Sequence, residues 1–267
     1  MSQTTTQHRR EVWDAFWRDK EEIDQVYSNS DRVIRQIRAL GNPAGKWILE
    51  VGAGSGRDSF SLSADGARVV MLDYSQPALC VIQRLAQDWQ HPVALVRGDA
   101  FYLPFKNDCL DVVFHQGLLE HFTNPEDILA ENFRVLKPGA AAVVDVPQRY
   151  HLYTAVKHVL ILLKKWFAGW ESEFSKPQLE RLLAAAGFGK LKMYGDWMRP
   201  SFCYRAGREV LKKAGVKLPL YPGPWPLLSK VRSLLREEFR RTPLALYTVM
   251  DIGAVGLKPE KNPGAAS

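Results

Sequence analysis

The strongest chemical signal in the sequence is the run Ile48-Leu49-Glu50-Val51-Gly52-Ala53-Gly54-Ser55-Gly56-Arg57-Asp58. An apolar stretch enters a Gly-x-Gly-x-Gly turn, and a helical pattern leaves it. Glycines at such a turn allow a tight bend and let a ligand approach the backbone at a helix N-terminus. Asp73 closes the next apolar stretch, roughly twenty residues past Gly52, where a carboxylate can accept both hydroxyls of a ribose. Asp99 follows the third apolar stretch, in Val96-Arg97-Gly98-Asp99-Ala100, at the same edge of the expected sheet. Aspartate also suits ordinary turns. Combined with the glycine loop, the two carboxylates point to an adenosine-bearing ligand. A dinucleotide fingerprint places its third glycine where this chain has Arg57. The third glycine here is Gly56, and an acidic residue, Glu50, precedes the turn, so a nicotinamide dinucleotide is the runner-up.

The elements that must position these residues follow from the apolar pattern. Strands are expected at 47–51, 68–72, 93–97, 110–114 and 140–146, with helices at 58–64, 76–89 and 125–136 between them. That alternation specifies an α/β fold, a doubly wound and mostly parallel sheet with helical additions. Helical spacing also runs from Val12 to Leu40 and stops at Gly41-Asn42-Pro43. After Val146 the rhythm breaks. An apolar and basic segment, 150–170, precedes a helix at 176–186, which stops at Gly187, and a strand at 190–194. A Pro-rich stretch, 218–226, separates two basic segments. A β-rich run at 244–257 is read as the last strand, closing the sheet. The expected organisation is a helical cap at 1–46, a cofactor-binding core at 47–146, the rest of the core with acceptor-side insertions at 147–257, and a disordered tail at 258–267.

Composition narrows the class. The 267 residues are 46% hydrophobic and 24% charged, ordinary for a chain that buries a real core. Cys80, Cys109 and Cys203 are scattered and form no metal or CxxC spacing, and the histidines lack ligand spacing, so no metal is expected. With a polar N-terminus, the expectation is a cytoplasmic protein. The net charge of +7 is unevenly distributed. Residues 1–150 hold 16 Lys and Arg against 20 Asp and Glu, whereas 151–267 hold 20 against 9. The basic half suits an anionic partner, or it is a solvated face.

Residues 47–146 resemble the core of the class I S-adenosylmethionine-dependent methyltransferases, in particular the small-molecule group that includes ubiquinone and menaquinone biosynthesis enzymes. The blocks that carry the likeness are Leu49 to Gly56, Val70-Met71-Leu72-Asp73-Tyr74-Ser75 and Gly98-Asp99-Ala100. Two more are Leu118-Leu119-Glu120-His121-Phe122 and Arg134-Val135-Leu136-Lys137-Pro138-Gly139. Ala140 stands where the family usually has a second glycine. The resemblance implies S-adenosylmethionine as the cofactor, with Gly52, Ala53, Gly54 and Gly56 passing under its methionyl part. Glu50 would lie near its amino group and Asp73 on the ribose. Tyr74 would pack on the adenine, Asp99 and the Ala100 amide would meet the adenine edge, and Gln116 would line the methionine portion.

For such chemistry the cofactor carries an activated methyl group, and the protein chiefly aligns the acceptor. A base is needed only where the acceptor must lose a proton. His121, at the passage from loop to helix beside the donor site, is the first candidate. His115 is the second, and Glu120 could orient its neighbours. DNA is not an expected partner, because His115-Gln116-Gly117-Leu118 replaces the Asp/Asn-Pro-Pro-aromatic run of amino-methylating DNA enzymes. The acceptor is expected to be a small or lipid-like molecule. Trp13, Trp17, Tyr27 and the segment 150–170 are expected to cap it, and the basic, aromatic-tipped 151–170 stretch could also rest on a membrane surface. A cofactor-binding partner protein without catalysis is the alternative.

Overall fold

In the computed structural model the described residues are 3–18, 31–90, 93–164, 171–197, 199–223, 233–239, 242 and 244–260. Helices α1 (Gln3–Arg18) and α2 (Arg32–Ala39) lead into strand β1 (Trp47–Val51). Then follow α3 (Arg57–Ala64), β2 (Arg68–Asp73), α4 (Gln76–Trp89), β3 (Ala94–Arg97), β4 (Leu110–Gln116), α5 (Pro125–Val135) and β5 (Leu136–Pro147). The remainder is α6 (Leu152–Leu162), α7 (Lys176–Ala185), β6 (Gly189–Asp196), α8 (Phe202–Lys213) and β7 (Asp251–Leu257).

Among the described residues seven strands lie in the order β3-β2-β1-β4-β5-β7-β6, and β7 runs antiparallel to the other six. Alternate side chains of each central strand feed two separate cores, the signature of a sheet covered on both faces. Ile48, Val69, Met71, Val112 and Phe114 face Val33, Ile34 and Ile37 of α2, Phe60 of α3 and Ile82 of α4. Leu49, Val70, Leu72 and Val113 face Ile128 and Leu129 of α5 and Leu179 and Leu183 of α7. The strand order reverses between β1 and β4. There the carboxyl ends of the strands open a crevice in which ligands of such sheets bind.

Several expectations need correction. The helical spacing of 12–40 belongs to two helices, with 19–30 outside the described residues. The 150–170 segment is helical over Leu152–Leu162, while Trp166, Phe167 and Trp170 lie outside the described residues. The final β-rich run is shorter than expected: a 3-10 turn, Ala245–Tyr247, precedes β7, which starts at Asp251. β7 is also not the sheet's last strand in space. It inserts between β5 and β6, pairing Val143 with Val255 on one side and Tyr194 with Gly253 on the other. Gly253 fits there because the Tyr194 ring occupies the place of a β-carbon. The tail does not begin at Lys258, which is buried. Its ammonium bonds the carbonyls of Phe133 and Leu136 and lies 2.7 Å from Asp108 Oδ1. Residues 261–267 lie outside the described residues.

Candidate active site

A cavity of about 840 Å³ opens over the carboxyl ends of β1, β2, β4 and β5. Its floor is the turn after β1. Gly52 and Gly54 have φ of +69° and +55°, a region that disfavours other residues, and both line the cavity with Ala53. The amides of Gly52 and Ala53 bond the Leu72 carbonyl at 2.8 and 3.1 Å, tying the turn to the end of β2. Gly56 has a different part. A β-carbon on it would come within 2.6 Å of Met71 Sδ, so this glycine lets the start of α3 pack on β2 and does not itself line the cavity.

Asp73 ends β2 with its side chain directed at the turn. Its Oδ2 accepts from the Gly54 amide and its Oδ1 from the Ser75 amide, both at 2.9 Å. The Tyr74 backbone also bonds this carboxylate, which has about four acceptor positions, so one is left for a hydroxyl of a ligand. Tyr74 and Ala100 line the same end of the cavity, as does Asp99, whose Oδ1 accepts from the Phe101 amide at 3.1 Å. Ser75 caps α4 and donates to Asp14 Oδ1 of α1 at 2.6 Å, which anchors the N-terminal helix across this edge. From α1, Trp13, Phe16 and Trp17 form one wall. Tyr27 lies outside the described residues.

The other end is built from charges that the sequence reading missed. Arg32 of α2 is buried, its Nε and Nη2 on Asp145 at 2.6–3.0 Å and its Nη2 3.2 Å from Asp251 Oδ2. Gln116 Nε2 lies 3.5 Å from Asp145 Oδ1, bringing the end of β4 beside the end of β5. The inner face of α6 adds Tyr153, Thr154 and Lys157, and Glu171 and Trp197 complete the wall. One signal was available, because Asp145 interrupts the apolar run Val143-Val144-Asp145-Val146. Its partners were not visible, since Arg32 is 113 residues away in the chain.

The histidine candidates separate. His121 ends the 3-10 turn Leu119–His121 and lines the cavity, its ring 4.9 Å from that of Trp13 in an edge arrangement. Its Nδ1 lies 3.8 Å from Glu171 Oε1. His115 is fully buried within β4 and does not line the cavity, and both ring nitrogens lack a hydrogen-bond partner among the described residues. Burial pushes its pKa down to about 3, so the second base candidate is a neutral core residue. Glu120 is buried at the cavity wall, and burial holds its carboxyl well above the ordinary range.

The site fits an adenosine ligand that also carries positive charge. Glu50 lines the cavity with Oε2 unpartnered among the described residues. Asp58 and Asp73 are buried near it, and the proximity of those carboxylates adds to burial in raising the Glu50 pKa. An ammonium or sulfonium placed among these three carboxyl groups would relieve that crowding, while Asp73 and Asp99 could take ribose and adenine.

Comparison with known proteins agrees. Residues 49–144 match a family described as a methyltransferase domain. Over 112 residues the chain is 42% identical to demethylmenaquinone methyltransferase of Clavibacter sepedonicus, covering 42% of this chain and 45% of that protein. The match therefore spans less than half the length of that relative. A SAM-dependent methyltransferase from Thermotoga maritima superposes with a TM-score of 0.64 at 18% identity, covering 94% of this chain and all of that one (100%). Phosphoethanolamine N-methyltransferase 2 of Haemonchus contortus, solved with S-adenosyl-L-methionine, gives 0.61 at 16% identity over 94% of this chain and 57% of that one. The match displaces the nicotinamide reading. Residues 49–144, the stretch that matches a methyltransferase domain, carry the glycine turn and the carboxylates at the sheet edge where the strand order reverses.

Proposed function

We propose that this protein transfers a methyl group from S-adenosylmethionine to a small, lipid-like acceptor lodged between the cofactor edge and the inner face of α6. The observation that carries this reading is the two-ended cavity. Its 840 Å³ lies in the upper part of the roughly 300–1,000 Å³ range that single small ligands occupy. One end carries the glycine turn, Asp73 and Asp99; the other carries Tyr153, Lys157, Trp197 and Met250. When bound, the cofactor supplies an activated methyl group. The residues of this chain then have three tasks. Gly52, Ala53, Gly54, Asp73, Tyr74, Asp99 and Ala100 hold the donor, and Glu50 and Gln116 face its methionyl part. Trp13, Phe16 and Trp17 cover the edge and exclude water. His121 takes a proton where the acceptor has one to lose.

The acceptor's nature draws on the relative named for demethylmenaquinone and on the surface around α6. The helix has two faces. Thr154 and Lys157 are buried, whereas Leu152, Ala155, Val159 and Leu162 form an exposed stripe at helical spacing. Lys164 follows the helix, and Arg208, Lys212 and Lys213 of α8 add positive charge in this half of the chain. No helix among the described residues is long and apolar enough to cross a membrane. We read the α6 stripe as a peripheral contact with an anionic membrane on its cytoplasmic side, from which a lipid-like acceptor reaches the cavity.

The test is transfer of a labelled methyl group from S-adenosylmethionine to demethylmenaquinone in its reduced form and to a polar amine as contrast. Labelling of the quinol supports the reading. Labelling of the amine alone would replace the lipid-like acceptor, and failure to bind S-adenosylmethionine in calorimetry would remove the activity altogether.

A further inference from the structure

We infer that Glu171, held in place by Lys157, is a positioning residue that aims the His121 imidazole at the acceptor and stabilises it once it has taken the acceptor's proton. This rests on the methyl-transfer reading above and adds to it an acceptor class: one whose reacting atom carries a proton that must leave.

The geometry is a buried chain of charges. Lys157 Nζ lies 2.7 Å from Glu171 Oε2 and 2.8 Å from Glu173 Oε1, and the side chain is only 2% exposed. The other oxygen of Glu171 faces His121 Nδ1 at 3.8 Å. The other oxygen of Glu173 meets His158 Nε2 at 2.8 Å, where the chain of contacts reaches solvent. Apolar residues in place of a buried ion pair are often neutral or stabilising, so stability alone is a weak account of these charges. α6 is otherwise rich in Val, Leu and Ile, which could have filled the same space.

The arrangement gives the cluster a direction. Glu171 and Glu173 share the Lys157 ammonium, with His158 at the solvent end and His121 at the cavity end. A proton on His121 places a positive charge opposite Glu171. When an acceptor oxygen gives its proton to His121 Nε2, the O–H electron pair stays on oxygen, which becomes the nucleophile. The new imidazolium is then met by Glu171. The 3.8 Å separation is too long for a hydrogen bond, and such contacts commonly close only when the site is filled. Trp13 restrains the ring from the side of α1. Among the described residues, the other charged or titratable groups near this corner are Glu120 on the same turn, Tyr153 and Lys157 on α6, Arg205 on α8 and Asp251 on β7. Burial keeps Glu120 protonated well above the ordinary carboxylate range, so it adds little negative charge beside the ring.

Imidazole nitrogen resonances of the full-length ¹⁵N-labelled protein, alone and with S-adenosylmethionine, test this, with His121 assigned by its loss in His121→Gln. In the neutral ring the proton is expected on Nδ1, facing Glu171, with Nε2 unprotonated. Glu171→Gln is expected to lower the proton affinity of His121 by about tenfold or more. Lys157→Met should raise it, and Lys157→Arg should restore the original value. A purely structural role for the cluster would not move the two variants in opposite directions. A neutral ring protonated on Nε2, or a His121 titration unchanged in Glu171→Gln, overturns the inference. Should a variant fail to fold, the tautomer in the unmodified protein decides alone. Calorimetry on the same samples keeps the two readings apart: S-adenosylmethionine binding with an indifferent His121 removes only the positioning role, whereas no binding removes the methyl-transfer reading.

Discussion

The indole of Trp17 lies against the α-carbon of Gly54, so that a β-carbon there would meet Trp17 Cζ2 at 2.6 Å. Two constraints therefore coincide at residue 54. Its φ of +55° disfavours any side chain, and α1 lies too close to admit one. Gly54 also donates to Asp73, so the helix, the turn and the Asp73 carboxylate form one contiguous unit.

Trp17 is expected to report on the cofactor. S-adenosylmethionine should change the protein's tryptophan emission, and Trp17→Leu should remove most of that change while leaving binding measurable by calorimetry. Gly54→Ala should abolish binding. Emission that responds equally in Trp17→Leu would show that α1 does not cover the donor.

Asp73→Ala should weaken S-adenosylmethionine binding by up to about a hundredfold, roughly 3 kcal/mol, the upper worth of a hydroxyl bond to a charged acceptor. Because Asp73 also accepts from the Gly54 and Ser75 amides, a smaller loss of folding stability should accompany it. An affinity within threefold of the original, measured by calorimetry, would remove Asp73 from the cofactor contacts.

Asp58 gives the protein a specific pH dependence. Burial pushes its carboxyl from 3.8 up to about 6. The folded chain thus holds this proton more tightly than the unfolded chain does. The resulting stabilisation is complete below the unfolded value and is lost as pH rises through about 6. Asp58→Asn should therefore be more stable than the original at neutral pH, by up to about 3 kcal/mol, with the gap closing toward acid. Urea unfolding at a series of pH values checks this, and a gap that does not depend on pH would contradict it.

Leu162 is 82% exposed on the outer stripe of α6. Leu162→Glu should reduce co-sedimentation with anionic vesicles several-fold without changing cofactor binding. Neutral vesicles should pellet less protein than anionic ones, and the difference should shrink with added salt. Equal absence of the protein from both pellets would leave α6 as a wall of the cavity with no lipid contact.

Local order was legible in the residues themselves. The apolar run 47–51, the glycine turn and the carboxylates at 73 and 99 sit within a span that repeats strand, turn and helix. Each turn follows from residue types a few positions apart, and a parallel sheet places all of them at one edge. The glycine turn and the two carboxylates at that edge were therefore readable from sequence, with Gly56 expected at the ligand although it packs on Met71. The acceptor end was not. Arg32 meets Asp145 and Asp251, and Glu171 meets Lys157 and His121, only because β7 inserts antiparallel beside β5 and α6 folds over their ends. Charged residues far apart in sequence carry no periodic signal of their pairing, and a strand's neighbours depend on where the whole chain returns. Likewise His115 and His121 looked alike as candidates, six residues apart. Tertiary burial made one a neutral core residue and left the other facing the cavity, because desolvation depends on what packs around a ring rather than on its place in the chain.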